Sequence, residues 1–200
     1  MSRPDDQGVA LVVVMMTIAL LAALVGALTL AVTTDAAIAA NYRDGADVRY
    51  AAEAAVEFVL REIAAMDDWS DLLDEGQSAF ADGPPAGVRD VGGVTIDLDQ
   101  ATADVTRAAT AAPGDVHLPS MLYAFGWFRD LVPGFADSGV YVAVWLADRS
   151  VAPKDDGAPP GKLSIVGEAF GTRGARRAVE VIVEKADISA VRRLGWRELP

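Results

Sequence analysis

The chain lacks cysteine entirely and has a single histidine, His117, among its 200 residues. These absences exclude disulfides, thiol catalysis, cysteine-ligated metals and any cluster of metal-binding histidines. No serine lies in a G-x-S-x-G motif, and Gly171-Thr-Arg-Gly174 lacks the lysine and the following helix of a phosphate-binding loop. The sequence therefore predicts a protein that is not an enzyme and that uses no cofactor or metal.

Basic residues are also scarce. The chain has 17 lysines and arginines against 29 aspartates and glutamates, which gives a net charge of −12. Nucleic acids and anionic lipid headgroups repel such a chain, so neither is an expected partner. The length leaves room for one membrane helix and one domain of roughly 130 residues with its own core.

Charge is absent from one long segment, Val9–Val32, which is interrupted only by threonines and one glycine. As a helix this segment would extend for about 36 Å, and the hydrocarbon core of a bilayer is about 30 Å thick. A cleaved secretory signal has a basic head and an apolar run of only about 7–15 residues, which does not fit. The segment is therefore predicted to span a membrane. The first basic residue before it is Arg3 and the first after it is Arg43, so the N-terminus is predicted to be cytoplasmic.

A helical pattern continues beyond the membrane segment. The stretch 36–66 contains no proline and one glycine, Gly45. Glu57 and Arg61 are four residues apart and are predicted to pair on its outer side. The polar residues 41–47 leave two alternatives, one continuous helix or two helices joined there. Apolar residues at helical spacing predict a buried stripe made of Ala51, Ala52, Ala55, Val56, Val59, Leu60 and Ile63.

Strand signals follow in the second half of the chain. The predicted strands are Val140–Leu146, Lys162–Phe170 and Ala175–Lys185, with Val94–Leu98 as the fourth if it joins them. In the third segment Val179, Val181 and Val183 face one way, and the residues between them face the other. The predicted fold class is α+β, with the long N-terminal helix packed on a small antiparallel β-sheet of three to four strands.

The remaining segments carry weaker signals. Asp67–Glu75 lacks the spacing of a calcium loop and is predicted to be a solvated acidic turn. Ala101–Asp115 is predicted to be a loop with a short helix, and Val191–Pro200 a basic tail that pairs with acidic surface. The aromatic segment His117–Phe135 is broken by prolines and glycines. It is either a loop that packs its rings on the sheet or an exposed contact surface for a partner or ligand.

Several of these segments resemble one family. The sequence Q-G-V-A-L-V-V-V at 7–14, Asn41-Tyr-Arg-Asp44 and Tyr50-Ala-Ala-Glu-Ala-Ala-Val56 are similar to the N-terminal region of type IV pilin-like proteins, in particular the PilX-type minor pilins. The segment Glu168–Glu180 is similar to the closing strands of these proteins. The resemblance covers about the first 66 residues well and the last 35 loosely. It implies a long pilin helix whose first half spans the membrane.

The resemblance also implies a processing site. A prepilin peptidase would cut between Gly8 and Val9, and the new N-terminus at Val9 would be methylated. The implied organisation is a leader at 1–8, a transmembrane half-helix at 9–32, its amphipathic continuation at 33–66 and an extracytoplasmic α+β domain at 67–200. Most pilins carry a glutamate five residues after the cut, where this chain has Val13. Many PilX-type proteins share that absence, as do the GspK-type pseudopilins that the family places at a filament tip.

The implied function is that of a minor pilin or pseudopilin at or near the tip of a type IV pilus-like filament, which primes or supports assembly. Its implied partners are the prepilin peptidase, other major and minor pilins through the N-terminal helix, and the inner-membrane assembly platform. It would reside in the inner membrane and then in the pilus at the cell surface. The residues predicted to pack against neighbouring helices are Val13, Ala19, Ala23, Gly26, Ala27 and Ala31.

Three alternatives remain at the level of sequence. Ala19, Ala23, Ala27 and Ala31 could form a helix-packing face, but they also fit the general abundance of alanine in this chain. The protein could be a permanently anchored single-pass envelope protein that keeps residues 1–8 and binds a ligand or partner with its outer domain. It could also be a GspK-type tip pseudopilin of type II secretion, although such proteins are generally larger and carry an inserted helical domain.

Overall fold

The computed structural model describes residues 4–69, 72–73, 76–109, 119–132, 134–135, 139–150, 161–187 and 190–199. It consists of two units, Met1–Arg43 and Asp44–Pro200. The predicted acidic turn at Asp67–Glu75 lies partly outside these residues.

One helix, α1, accounts for the described part of the first unit and extends into the second. It runs over Pro4–Ala64. Proline is well tolerated in the first helical turn, where its missing N–H would have no intrahelical partner. Residues 41–47 are helical throughout, so the alternative of one continuous helix is confirmed. Gly45 weakens a helix by about 1 kcal/mol relative to alanine, and the alanine-rich sequence on both sides offsets this.

The second unit contains a five-stranded antiparallel sheet in the strand order β3-β4-β5-β6-β7 and a separate two-stranded hairpin, β1-β2. The elements after α1 are β1 (Val88–Val91), β2 (Val94–Asp97), α2 (Leu98–Ala109), β3 (Met121–Trp127), α3 (Phe128–Leu131), β4 (Tyr141–Asp148), β5 (Lys162–Phe170), a 3₁₀ turn (Thr172–Gly174), β6 (Arg176–Asp187) and β7 (Ala190–Leu199).

The predicted class, α+β, is confirmed, but the prediction of three to four strands is wrong because the main sheet has five. Both extra strands are edge strands. β3 comes from the aromatic segment, whose glycine and flanking prolines obscured a strand. β7 comes from the predicted basic tail, whose arginines pair with acidic side chains on neighbouring elements. The segment at 94–98 is not a fourth strand of the main sheet: β2 pairs with β1 through Gly92-Gly93, whose positive φ angles of 60° and 84° suit a tight hairpin turn.

The predicted stripe of α1 packs on one face of the main sheet. All seven predicted residues are buried, together with Val48. They share one core with the inward side chains of β4, β5 and β6, among which are the predicted Val179, Val181 and Val183. Glu57, predicted to pair with Arg61, instead forms an ion pair with Arg193 of β7.

The hairpin and α2 cover the opposite face of the sheet. Their core includes Ile96, Leu98 and Val105 with Trp145 and other side chains of β3, β4 and β5. α2 is longer than the short helix predicted in this region. Asp97 caps it, because its carboxylate accepts the backbone N–H groups of the second and third residues after it at 3.0 and 3.1 Å.

The end of α1 is satisfied by two side chains. Trp69 is fully buried, and its indole N–H donates to the Ile63 carbonyl at 3.0 Å. Lys185 of β6 donates to the Met66 carbonyl at 3.1 Å and to the Asp67 carbonyl. A cation at the C-terminal end of a helix also interacts favourably with the helix dipole. Asp67 and Asp68 are exposed, as predicted, but the acidic segment is anchored by its tryptophan.

We expect Gly167→Ala to destabilise the folded domain by about 1–3 kcal/mol, the range for overpacking a core. A Cβ on Gly167 of β5 would overlap Val56 Cγ2 and lie 2.9 Å from the Ala52 carbonyl oxygen of α1. Urea unfolding of the full chain in detergent micelles, followed by tryptophan fluorescence, measures the change. Gly195→Ala is the matched control, since a Cβ there meets nothing within 4 Å. Equal stability of the two variants would contradict this account of the helix–sheet contact.

Candidate membrane helix and processing site

The first half of α1 presents a continuous apolar surface. Every large apolar side chain from Val9 to Val32 is exposed, with exposed fractions between 53% and 71%. Within the described residues, α1 is the one helix long and apolar enough to cross a membrane, and its most apolar window reaches a mean hydropathy of 2.8. This much apolar surface is unfavourable in water. The helix is therefore compatible with insertion in a lipid bilayer.

The polar side chains within this surface are satisfied by the helix itself. The Thr17 hydroxyl donates to the Val13 carbonyl at 2.8 Å, and the Thr29 hydroxyl donates to the Val25 carbonyl at 2.9 Å. Such bonds to the preceding turn remove the cost of placing a hydroxyl in hydrocarbon. The threonines that interrupt the apolar segment are therefore no obstacle to insertion.

The predicted processing junction lies inside α1. Gly8 and Val9 are both helical and exposed, and a Cβ on Gly8 would meet nothing within 4 Å. The helix begins at Pro4, so it includes part of the predicted leader instead of starting at Val9. Only one turn of helix, residues 4–7, precedes Gly8, and glycine is a weak helix former. The backbone at this junction can unwind at low cost.

The predicted helix-packing residues are all exposed on α1. The four alanines, Ala19, Ala23, Ala27 and Ala31, are spaced by four residues and form one of the inclined rows along which helices interlock. Gly26 lies beside this row, and a Cβ there would meet nothing within 4 Å. The row is geometrically available to a neighbouring helix, and packing against one stays a prediction. Val13, also predicted to pack, is exposed at 56%.

Comparison with known proteins finds no match: no protein-family model, no curated protein and no solved structure is similar to this chain. The resemblance to PilX-type minor pilins therefore rests on the residues quoted above and stays a prediction.

The second unit contains two buried glutamates, whose burial was not predicted from the sequence. Glu180 of β6 is 1% exposed. Its carboxylate accepts hydrogen bonds from the Ser164 hydroxyl at 2.5 Å, from Arg149 at 3.0 Å and from Arg197 of β7. Burial raises the pKa of Glu180, but these hydrogen bonds and the arginine charges outweigh it and hold the pKa below its ordinary value of 4.5.

Glu168 of β5 lies on the same face and is 2% exposed. Among the residues that the structure describes, it has one cationic partner, Arg176 of β6, which contacts both carboxylate oxygens, one of them at 3.1 Å. Burial is the largest effect on Glu168 and raises its pKa, while Arg176 lowers it by less. The two pKa values shift in opposite directions because Glu180 accepts hydrogen bonds from the Ser164 hydroxyl and from two arginines, whereas Glu168 has one arginine and the nearby charge of Asp104, which raises its pKa.

Two tyrosines tie the segment at 78–82 and α1 to the sheet. The Tyr141 hydroxyl donates to Asp82 at 3.0 Å, and Arg89 contacts the same carboxylate at 3.3 Å. The Tyr123 hydroxyl is hydrogen-bonded to Glu62 of α1, and burial together with this carboxylate raises the pKa of Tyr123 to about 12. Burial and Asp82 likewise raise the pKa of Tyr141. Both phenols therefore stay neutral and act as hydrogen-bond donors at physiological pH.

The two buried glutamates form ion pairs that stabilise the fold. Each buried carboxylate is bound by at least one arginine, and among the described residues no group of three histidine, aspartate or glutamate side chains could hold a metal ion. The sequence predicted that the basic C-terminal tail pairs with acidic surface, but not that this tail is a strand of the sheet. Had that tail been assigned as a strand, Arg197 would have fallen opposite Glu180.

The described part of the aromatic segment is mainly interior. Tyr123, Phe125 and Phe128 are buried, and Trp127 packs edge-on against Tyr141 with ring centroids 5.7 Å apart. The interpretation that these rings pack on the sheet is confirmed, although from a strand instead of a loop. Phe135 alone of the five named aromatics is exposed, at 56%. His117 lies outside the described residues.

We expect Glu180→Gln to destabilise the domain by about 3–5 kcal/mol, because it removes the charge that neutralises two partly buried arginines. The folded-state pKa of Glu180 is depressed, so the carboxylate contributes its full stabilisation above its ordinary pKa of 4.5. That contribution is lost as the pH falls below 4.5 and through the folded-state pKa. The stability difference between the wild-type chain and the variant should therefore shrink over this range.

Urea unfolding of the full chain in detergent between pH 7 and pH 3 gives that difference. Glu198→Gln serves as the control, since its pair with Arg177 is 3.5 Å long and exposed on both sides, which predicts an effect of about 0–1 kcal/mol. An equal effect of both substitutions, or a difference independent of pH, would show that Glu180 does not stabilise the domain as a buried anion.

Proposed function

We propose that this protein is a minor pilin- or pseudopilin-like subunit that is cut after Gly8 and enters a type IV pilus-like filament at or near its tip. The observation that carries the proposal is the division of α1 into two parts. Its residues 9–32 expose an apolar surface, and its residues 48–63 pack on an antiparallel sheet. This combination is the architecture implied by the resemblance to PilX-type minor pilins.

Cleavage fits the local chemistry of the junction. A peptidase that hydrolyses the Gly8–Val9 bond removes a polar leader and leaves a helix that is apolar from its first residue. Gly8 has no side chain to obstruct a protease cleft, and its helical conformation is easily lost. In the proposed topology a prepilin peptidase makes the cut at the cytoplasmic face of the inner membrane, and the new N-terminus at Val9 is then methylated.

Assembly is proposed to exchange lipid contacts for helix contacts. An apolar helix gains little hydrophobic free energy by leaving lipid for a bundle of similar helices, so close packing must stabilise the bundle. The row from Ala19 to Ala31, with Gly26 beside it, lets neighbouring backbones approach closely. The inner-membrane assembly platform and the other pilins are the partners that this step requires.

Val13 supports a position at the tip. A carboxylate at the fifth residue of the processed helix would need a cationic partner in an apolar bundle, such as the amino terminus of an adjacent subunit. Val13 carries no charge, and its carbonyl already accepts the Thr17 hydroxyl. A subunit at the end of a filament lacks a neighbour on one side. Without a carboxylate, it has no buried charge to leave unpaired there.

We expect Gly8→Leu to abolish incorporation into filaments, because a branched side chain blocks the cut and leaves a polar leader on the helix. Filaments sheared from cells of the native host and probed for this chain measure incorporation. The control is Gly45→Ala, a glycine of the same helix whose Cβ would come no closer than 3.9 Å to another residue. It should leave incorporation unchanged.

The location of the chain in those filaments tests the rest of the proposal. Immunogold labelling confined to filament ends supports the tip position, and even labelling along the shaft contradicts it. A wild-type chain that is absent from filaments and stays in the membrane with its leader would instead establish a permanently anchored protein. Incorporation only when type II secretion components are present would assign the chain to a pseudopilus.

A further inference from the structure

The outer edge of β7 is an unpaired sheet edge. Within the described residues, β7 has a strand neighbour on one side only, β6, and no other backbone hydrogen bond reaches it. Eight of its ten residues are largely exposed. Since alternate residues of an edge strand direct their N–H and C=O groups outward, β7 presents a row of free donors and acceptors.

The opposite edge of the sheet, β3, is covered by another segment of the chain, so the two edges of the sheet differ. The segment at 78–82 lies along β3 and exchanges backbone hydrogen bonds with it. Ser78 N–H donates to the Tyr123 carbonyl at 2.9 Å, and Phe125 N–H donates to the Phe80 carbonyl at 3.0 Å. The chain therefore covers one edge of the sheet with its own backbone and leaves the other open in its described part.

A bulge interrupts β7 but leaves a regular stretch. Ile182 pairs with Gly195 and Val183 pairs with Arg193, so Leu194 is the extra residue. Bulges hinder indiscriminate pairing of edge strands. The five residues from Gly195 to Leu199 keep an unbroken register with β6, which is long enough to pair with a short partner strand.

On the side of α1, the free edge borders a groove of about 510 Å³, whose lining is mainly apolar but also includes Glu53, Glu57 and Arg193. Its walls include Tyr50 on α1 and Trp196 on β7, which are exposed at 66% and 51%. Val56 and Val181, both buried, form its floor. A strand added to β7 would place every second side chain over this groove.

On the opposite side, the edge is basic. Arg192 pairs with Glu184, and Arg197 pairs with Glu180. The valines of β6 between these glutamates face α1, so both ion pairs lie on the face of the sheet away from α1. The two arginine side chains are still 65% and 46% exposed. A guanidinium has five N–H donors, so an ion-paired arginine can bind a second carboxylate. The segment 162–200 has eight basic and five acidic residues in a chain of net charge −12.

We propose that β7 is a docking edge for an extended, acidic segment of a partner protein, which adds a sixth, antiparallel strand to the sheet. Its apolar side chains would alternate with carboxylates, with the apolar ones over the Tyr50–Trp196 groove and the carboxylates at Arg192 and Arg197. A second copy of this chain fits less well, because pairing two β7 strands brings arginines together and like charges opposite one another destabilise a sheet. The inference goes beyond the proposed filament function and does not depend on it.

In the test, the partner strand is joined covalently to the C-terminus of the chain, so that pairing is detected even if a separate peptide would bind weakly. The full chain in detergent micelles is extended after Pro200 by Asp-Gly, which with the proline favours a turn, and then by eight alternating valines and glutamates. One extension begins with valine and another with glutamate, so that in one of them the valines lie on the side of α1. Matched extensions have lysine in place of glutamate, and a glycine–serine extension of the same length is the negative control. Residue-resolved amide hydrogen exchange of β7 is the measurement.

In the unmodified chain, we expect alternate amides of Gly195–Leu199 to exchange rapidly. One of the two glutamate extensions should slow them by about 100-fold or more, since tethering raises the effective concentration of the strand. The lysine extensions should slow them at least about tenfold less. Arg192→Gln should reduce the protection, whereas Arg107→Gln, which removes an exposed arginine of α2, should not.

Four results would overturn the proposal. Slow exchange of all β7 amides in the unmodified chain would show that the edge is already covered. Exchange that slows as the unmodified protein is concentrated would identify a second copy as the occupant. Equal protection by glutamate and lysine extensions would reject an acidic partner. Protection no greater than that of the glycine–serine control would show that the edge accepts no strand.

Discussion

The close approach of α1 to the sheet is the constraint on which the second unit depends. Gly167 of β5 has no side chain, and it faces Ala52 and Val56 of the helix at a distance that a methyl group could not occupy. The helix contributes mainly alanine and valine to this contact, so its backbone can lie near the strands. Dispersion and burial then act over a large number of short contacts. The alanine-rich repeat of α1 is therefore a packing requirement as well as a source of helix propensity.

The same helix contains the exposed apolar segment, so two different environments are specified along one element. In residues 48–63 the apolar side chains occupy one stripe and the polar ones lie outside it. In residues 9–32 no polar stripe exists, and the few hydroxyls bond to the helix backbone. An apolar stripe predicts one packed face, whereas apolar residues on all sides predict lipid or other helices around the segment. The change between these two patterns marks where the domain ends and the candidate membrane helix begins.

Charge organises the other side of the sheet. A chain with an excess of acidic residues could not easily bury two glutamates, because an ionised carboxylate in the interior needs a partner. Arg176, Arg149 and Arg197 supply these partners from three different strand regions. Arg197 lies on β7, so the outermost strand is held to the sheet partly by its contact with a carboxylate on β6. The basic C-terminal segment is thus part of the fold and not a solvated tail.

The sequence predicted best where the hydrophobic pattern was regular. The stripe of α1 and the strands β4, β5 and β6 were found because their side chains have a clear periodicity. β7 was missed because it is an edge strand with mostly exposed residues, and the ion pairs that help to hold it cannot be recognised until the register is known. β3 was missed because Gly126 and nearby prolines signalled a loop, whereas its burial on both faces removed the usual alternation. The processing junction depends on the resemblance of a short motif, and the fold around it adds only that the backbone there is exposed.

The mass of the N-terminal peptide, from protein made in the native host, tests the central claim most directly. The proposed function predicts a peptide that begins at Val9 and carries one additional methyl group. A peptide that retains Ser2–Gly8 would contradict it, because a helix that keeps its polar leader cannot be a processed filament subunit.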